Sequence, residues 1–132
     1  MKSSASVWVG RVLSVLVVLF MLMDAGMKFA MIQPVIDTTA QLGWPNDANH
    51  IYGLATVLLI STALYAYPRT SVLGAVLLTG YLGGAVATHV RIGSPLFSHV
   101  LFGVYLGVMA WGGLYLRDAK LRALFPFRSK DA

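Results

Sequence analysis

The sequence contains no cysteine, which removes structural disulfides, thiolate metal sites and thiol–disulfide exchange from the chemistry open to it. Charge is also scarce. Only 11% of residues are charged, against about 25% in an ordinary soluble domain, so the chain cannot cover a water-facing surface in the usual way. Low-complexity tracts and convincing internal repeats are missing too, and 132 residues leave room for one domain. What fills the chain is apolar: 58% of residues are hydrophobic and the mean hydropathy is +0.74. Lipid is the solvent this composition suits. In a soluble domain, a net charge of +5 with a pI near 9.8 would raise nucleic acid as a partner. Here the basic residues flank the apolar runs, so membrane lipids with anionic headgroups are the partner implied, and nucleic acid is not.

Four apolar stretches each approach the ~20 residues that a helical span requires. They cover about 8–31, 48–67, 71–92 and 95–116. The runs are continuous rather than alternating, and only helices or closed barrels satisfy the backbone in lipid. The predicted fold is therefore all-α: a polytopic membrane protein forming an antiparallel four-helix transmembrane bundle, with a basic tail over 117–132. The apolar run from Val12 to Ala30 is too long for the core of a signal peptide, so it reads as a retained span. Tyr67-Pro68-Arg69-Thr70 is a tight break in which Thr70 or Ser71 is placed to cap the next helix. In Ile92-Gly93-Ser94-Pro95, Gly93 suits a helix C-terminus, Ser94 an N-cap and Pro95 a first turn. Such short links force antiparallel neighbours. The long connection, about Ile32 to Asp47, offers Val35, Ile36 and Leu42 for a short interfacial helix. It also offers Trp44 for the headgroup level, and Asn46 or Asp47 as a cap for the second span.

With four spans, Lys2, Arg11, Arg69, Arg117, Lys120, Arg122, Arg128 and Lys130 fall on one side, and only Lys28 and Arg91 approach the other. The positive-inside rule then puts both termini in the cytoplasm, across the cell membrane (the inner membrane of a bacterium). The tail from Arg117 to Lys130, with Leu121, Leu124, Phe125 and Phe127 among its charges, is expected to lie along the inner surface.

The polar residues inside the spans gather at one depth. Asp24 and Lys28 are four apart on the first helix, share a face and are spaced to pair. Asn49 and His50 open the second helix, Thr88, His89 and Arg91 close the third, and Ser98 and His99 open the fourth. An ionisable group in the membrane costs roughly 2.5–3.5 kcal/mol on insertion scales. Several at one level on four helices point to a shared polar pocket near the outer face, apolar below. A buried imidazole needs a partner, so His89 or His50 is expected within hydrogen-bond reach of Asp24, directly or through water. Each residue also has a plainer role. Asp24 and Lys28 suit a structural pair, Lys28 and Arg91 suit snorkelling to headgroups, and His50 and His99 suit interfacial or capping positions. The glycine stripes Gly80/Gly84 on the third helix and Gly103/Gly107 on the fourth read as close-packing surfaces. Met21, Met23, Met27 and Met31 read as packing or lipid-facing residues.

The run Leu78-Thr79-Gly80-Tyr81-Leu82-Gly83-Gly84-Ala85-Val86-Ala87-Thr88-His89-Val90-Arg91 resembles the third helix of the DoxX-like family. Asp24-Ala25-Gly26-Met27-Lys28, the Leu42-Gly43-Trp44-Pro45 loop and the closing Trp111-Gly112-Gly113-Leu114-Tyr115-Leu116-Arg117-Asp118 resemble corresponding parts of it, in the same order. The resemblance implies a four-helix membrane bundle. It also implies an association with membrane oxidoreductases, since the family name comes from a subunit of a thiosulfate–quinone oxidoreductase. Asp24, Lys28, Thr88, His89 and Arg91 are the polar positions that carry over. The leading expectation is a quinone- or redox-associated membrane subunit, in which Lys28 and His89 donate hydrogen bonds to the head and Asp24 manages protons. Its electrons would come from a partner oxidoreductase subunit. The alternatives are a binder or isomerase of a small hydrophobic ligand, a haem or metal site at His50, His89 and His99, and a structural or assembly protein without chemistry. Whether the chain forms a homo-oligomer stays open.

Overall fold

The structure, a computed structural model, describes residues 4–130. Lys2, one of the basic residues counted towards the cytoplasmic side, lies outside them, as do the last two residues of the tail. Four long helices dominate: α1 (Ser4–Phe29), α3 (Ala48–Ala66), α4 (Ser71–Arg91) and α5 (Phe102–Arg117). Two short ones, α2 (Gln33–Gln41) and α6 (Ala119–Leu124), follow α1 and α5. The four long helices, with the turns leading into α4 and α5, are long and apolar enough to cross a membrane. Helix α1 packs on α3 and α5, and α4 closes the ring between the same two. The result is the expected antiparallel bundle, with the start of α1 and the end of α5 at one end and α2 at the other.

Each helix turns one stripe inward. Val17, Met21 and Ala25 recur every four residues on α1, as do Leu106, Ala110 and Leu114 on α5; all are buried with Leu58, Tyr65, Ala75, Leu78 and Leu82. This is the spacing of a single helical face. The opposite faces keep Val12, Val15, Leu19, Val76 and Val108 exposed. Large apolar side chains all around the outside suit lipid rather than water.

The terminal end is held by features the sequence did not advertise. Helices α1 and α5 touch backbone to backbone: a Cβ added at Gly10 would lie 2.8 Å from the Gly113 carbonyl oxygen. A buried hydrogen-bond chain joins three helices beside this contact. Arg117 Nη2 donates to Ser14 Oγ (3.0 Å), Ser14 shares 2.8 Å with the Tyr65 hydroxyl, and Tyr65 donates to the Ala110 carbonyl (2.7 Å). Tyr65 has one proton, which goes to Ala110, so Ser14 donates to Tyr65 and receives from Arg117. Ser14 and Tyr65 thereby have partners for both hydroxyl groups, and among the described residues no buried side-chain polar atom lacks a partner, as burial demands.

The turns differ in detail from expectation. Thr70 and Ser71 do not cap α4. Their hydroxyls donate backwards to the Leu64 and Tyr65 carbonyls, 2.7 Å each, and so satisfy the end of α3. Gly93 takes the left-handed conformation expected of it, φ +72°. Ser94 does not serve as a cap: its hydroxyl meets His89 Nδ1 at 2.9 Å. The fourth span does not begin as a regular helix. Residues Leu96–Val100 form a single π-turn, with Val100 bonding to Pro95 and Leu101 to Leu96. Such widened turns re-aim side chains, and this one carries His99.

Candidate functional site

At the end opposite the termini, α2 and its flanking loops cross the bundle and cover a cavity of about 570 Å³ between the helices. The sequence of this connection explains its path. Pro34 starts α2 where its missing N–H costs nothing. Gln33 holds Asp37 across one turn (2.8 Å), and Thr39 bonds back to Val35. Gly43, at φ +84°, turns the chain back. Two side chains from α4 fasten it. Arg91 Nη2 donates to the Leu42 carbonyl (2.7 Å), and Trp44 Nε1 reaches Thr88 Oγ1 (3.4 Å). The left-handed φ favours glycine at position 43, and a Cβ there would push the Arg91 guanidinium from its seat.

Asp24, Lys28, Thr88, His89 and His99 all line the cavity. Lys28 Nζ donates to Asp24 Oδ2 at 2.8 Å, forming the expected i, i+4 pair. The rings of His89 and His99 meet edge to face, with centroids 5.7 Å apart. His89 Nδ1 is engaged by Ser94, and His99 Nδ1 by the Ser98 hydroxyl at 2.7 Å. Among the described residues neither Nε2 atom has a hydrogen-bond partner. Because a serine hydroxyl either donates or accepts, each ring can present Nε2 as acceptor or donor. Below this polar level the walls are apolar and aromatic: Phe20, Met21, Tyr81, Phe102 and Leu106, with Phe20 and Phe102 in contact at 5.2 Å.

Three of the predicted site residues stand apart. Arg91 is a strut for the covering loop rather than a lining residue. Asn49 and His50 sit exposed on the first turn of α3. His50 Nδ1 contacts Asp47 Oδ1 at 2.6 Å, because i, i+3 spacing turns both side chains to the outer side of the helix start. Slight burial pulls the Asp47 carboxyl upward, but the hydrogen bond and charge of His50 outweigh it and hold it below the ordinary value. The expected hydrogen bond from a histidine to Asp24 is not formed among the described residues. Lys28 takes the carboxylate, and Ser94 takes His89 Nδ1. Nor do three histidines converge. Among the described residues no three His, Cys, Asp or Glu side chains gather at metal-holding distance, which leaves the expected three-histidine metal site without its third ligand.

The glycine stripe of α4 is also not what its pattern suggests. Gly80 and Gly84 line the cavity, and a Cβ at either would meet nothing within 4 Å. Gly83 and Gly107 likewise face open space, and of the four glycines in the two expected stripes only Gly103 packs closely, against Leu82 and Val86. Small residues here make room instead of contact. Tyr81 and Trp44 contribute to the walls; Tyr81 carried no sequence signal beyond its place in the matching motif, and Trp44 read as a headgroup-level residue.

Four membrane-spanning helices around a polar-headed, apolar-bodied internal cavity define a class of small integral membrane protein. The sequence profile of the DoxX-like family matches residues 12–113, from early α1 to late α5. The chain belongs to this family. Comparison with curated proteins and with solved structures finds no match.

Proposed function

We propose that the cavity binds the head of a lipid-soluble molecule of the quinone class, and that the protein serves a membrane oxidoreductase as its quinone-associated subunit, receiving electrons from a partner. The observation that carries this is the join within one cavity between cationic and imidazole donors and an aromatic body. Lys28, His89 and His99 sit at the polar level, with Phe20, Tyr81 and Phe102 below. A quinone ring needs hydrogen bonds to its carbonyl oxygens and a flat apolar surround, and these residues fit both needs. Asp24 balances the charge of Lys28 and stands where a proton is exchanged. A redox-inert hydrophobic ligand would use the same walls but would not need two imidazole nitrogens at one level.

Trp44 lines the cavity and reports on it. A short-chain quinone added to the protein in nanodiscs should quench tryptophan emission saturably, and Trp44→Phe should remove the saturable part. His89→Leu should weaken binding about tenfold, the worth of one hydrogen bond of ~1.4 kcal/mol. Quenching that rises linearly with quinone, unchanged by either substitution, would show partition into lipid and no site.

The polar cavity faces away from the cytoplasm in this reading, since the basic residues crowd the terminal end. A reporter active only outside the cytoplasm should be silent when fused after Ala132 and active when inserted at Thr39. The opposite pattern would reverse the orientation.

A further inference from the structure

A second hollow lies on the outside of the bundle. It is an apolar groove of about 720 Å³ between α4 and α5, floored by Gly83, Gly107 and Gly112 and bordered by Val108 and Leu116. Its central polar side chains satisfy each other, Trp111 Nε1 donating to Thr79 Oγ1 at 2.7 Å. The edge of the groove is fully lipid-facing in character, with Val108 66% exposed. From Gly103 to Leu116 it follows α5 for about 20 Å at ~1.5 Å per residue, comparable with the ~15 Å hydrocarbon depth of one leaflet.

The groove ends on Phe125 and Pro126, which follow α6, and Phe125 stacks on Trp111 at 5.4 Å. Arg122 of α6 donates Nη1 to the carbonyl of Tyr115, a groove residue, at 2.6 Å. A guanidinium has five donors, and among the described residues that of Arg122 hydrogen-bonds only to this carbonyl. From Arg117 to Lys130 the chain carries five basic side chains and one acidic. A dry channel of acyl-chain length thus opens onto a basic segment anchored beside it.

We infer that this groove and α6 form a binding site for one anionic phospholipid, its acyl chain lying along Gly83 and Gly107 and its phosphate held by Arg122 and the neighbouring basic residues. An apolar channel takes any acyl chain, while a cationic mouth selects an anionic head, so selectivity is expected for phosphatidylglycerol over phosphatidylcholine of identical chains.

Native mass spectrometry of the full chain released from mixed micelles tests this. The wild-type protein should retain one phosphatidylglycerol and little phosphatidylcholine. Arg122→Gln should reduce the preference about fivefold, the effect of one surface charge of ~1 kcal/mol. Gly107→Leu fills open space and should expel both lipids, while an unchanged helical circular dichroism spectrum shows that the bundle persists. Gly83→Leu is the second filling variant should the first not fold. Equal retention of the two lipids by wild type, or undiminished lipid in both filled variants, would overturn the inference. So would a lipid-free dimer dissociated by filling, since the groove would then belong to a second copy of the chain.

Discussion

Asp24→Ala is expected to destabilise the bundle by about 3–5 kcal/mol, and Asp24→Ala combined with Lys28→Met to restore most of that loss. The reason is the surroundings of the pair. Lys28 Nζ lies 2.8 Å from Asp24 Oδ2 with side chains only 15% and 28% exposed, at a depth where water is scarce. Removing the carboxylate alone strands an ammonium with no counter-charge, whereas removing both leaves an apolar wall. Reversible unfolding in mixed micelles gives the three numbers needed. If the double variant loses as much as the two single variants summed, the residues do not interact and the pair is an accident of spacing. The same variants also separate structure from binding. A stable double variant that no longer quenches with quinone would place the pair in the ligand site, while one that binds normally would confine it to folding.

Gly74→Ala should cost about 3 kcal/mol or more, while Gly84→Ala, ten residues along the same helix, should leave stability within about 0.5 kcal/mol. A methyl at position 74 would strike the backbone of Leu64 and Tyr65 on α3, and backbone cannot step aside. Relief would require α3 and α4 to separate beside Tyr65, whose hydroxyl joins α3 to α1 and α5. A methyl at position 84 meets only the cavity. Its expected consequence is a smaller pocket and weaker ligand binding. The measurement is again unfolding in micelles, paired with tryptophan quenching. Equal stability of the two variants would mean that the α3–α4 contact is looser than the structure shows.

These two glycines show where sequence reasoning reached its limit. Both lie in the same helix at small-residue positions, and the four-residue spacing of Gly80 and Gly84 reads as a packing motif. Only the positions of α1, α2 and α5 reveal that the pair borders a void. The histidines repeat the lesson. All three sit at the same depth, which helix rise alone determines. Yet His50 turns to Asp47 while His89 and His99 meet each other, because rotation about the helix axis and the π-turn before α5 set the directions. The Ser14–Tyr65–Arg117 chain was invisible for a related reason: its members are 51 and 103 residues apart, and none is unusual alone.

Composition, run length and turn chemistry determined the membrane class, the four spans, their antiparallel order, the short helix after the first span and the Asp24–Lys28 pair. Each of these depends on interactions within a few residues or on the thickness of the bilayer. The tertiary structure alone decided which glycines pack and which leave space. It also decided that Arg91 and Thr88 fasten a covering loop, and that Asp24, Lys28, His89 and His99 line one cavity. Those outcomes depend on how four cylinders are rotated and offset against one another, and that is settled by side-chain packing summed over the whole bundle.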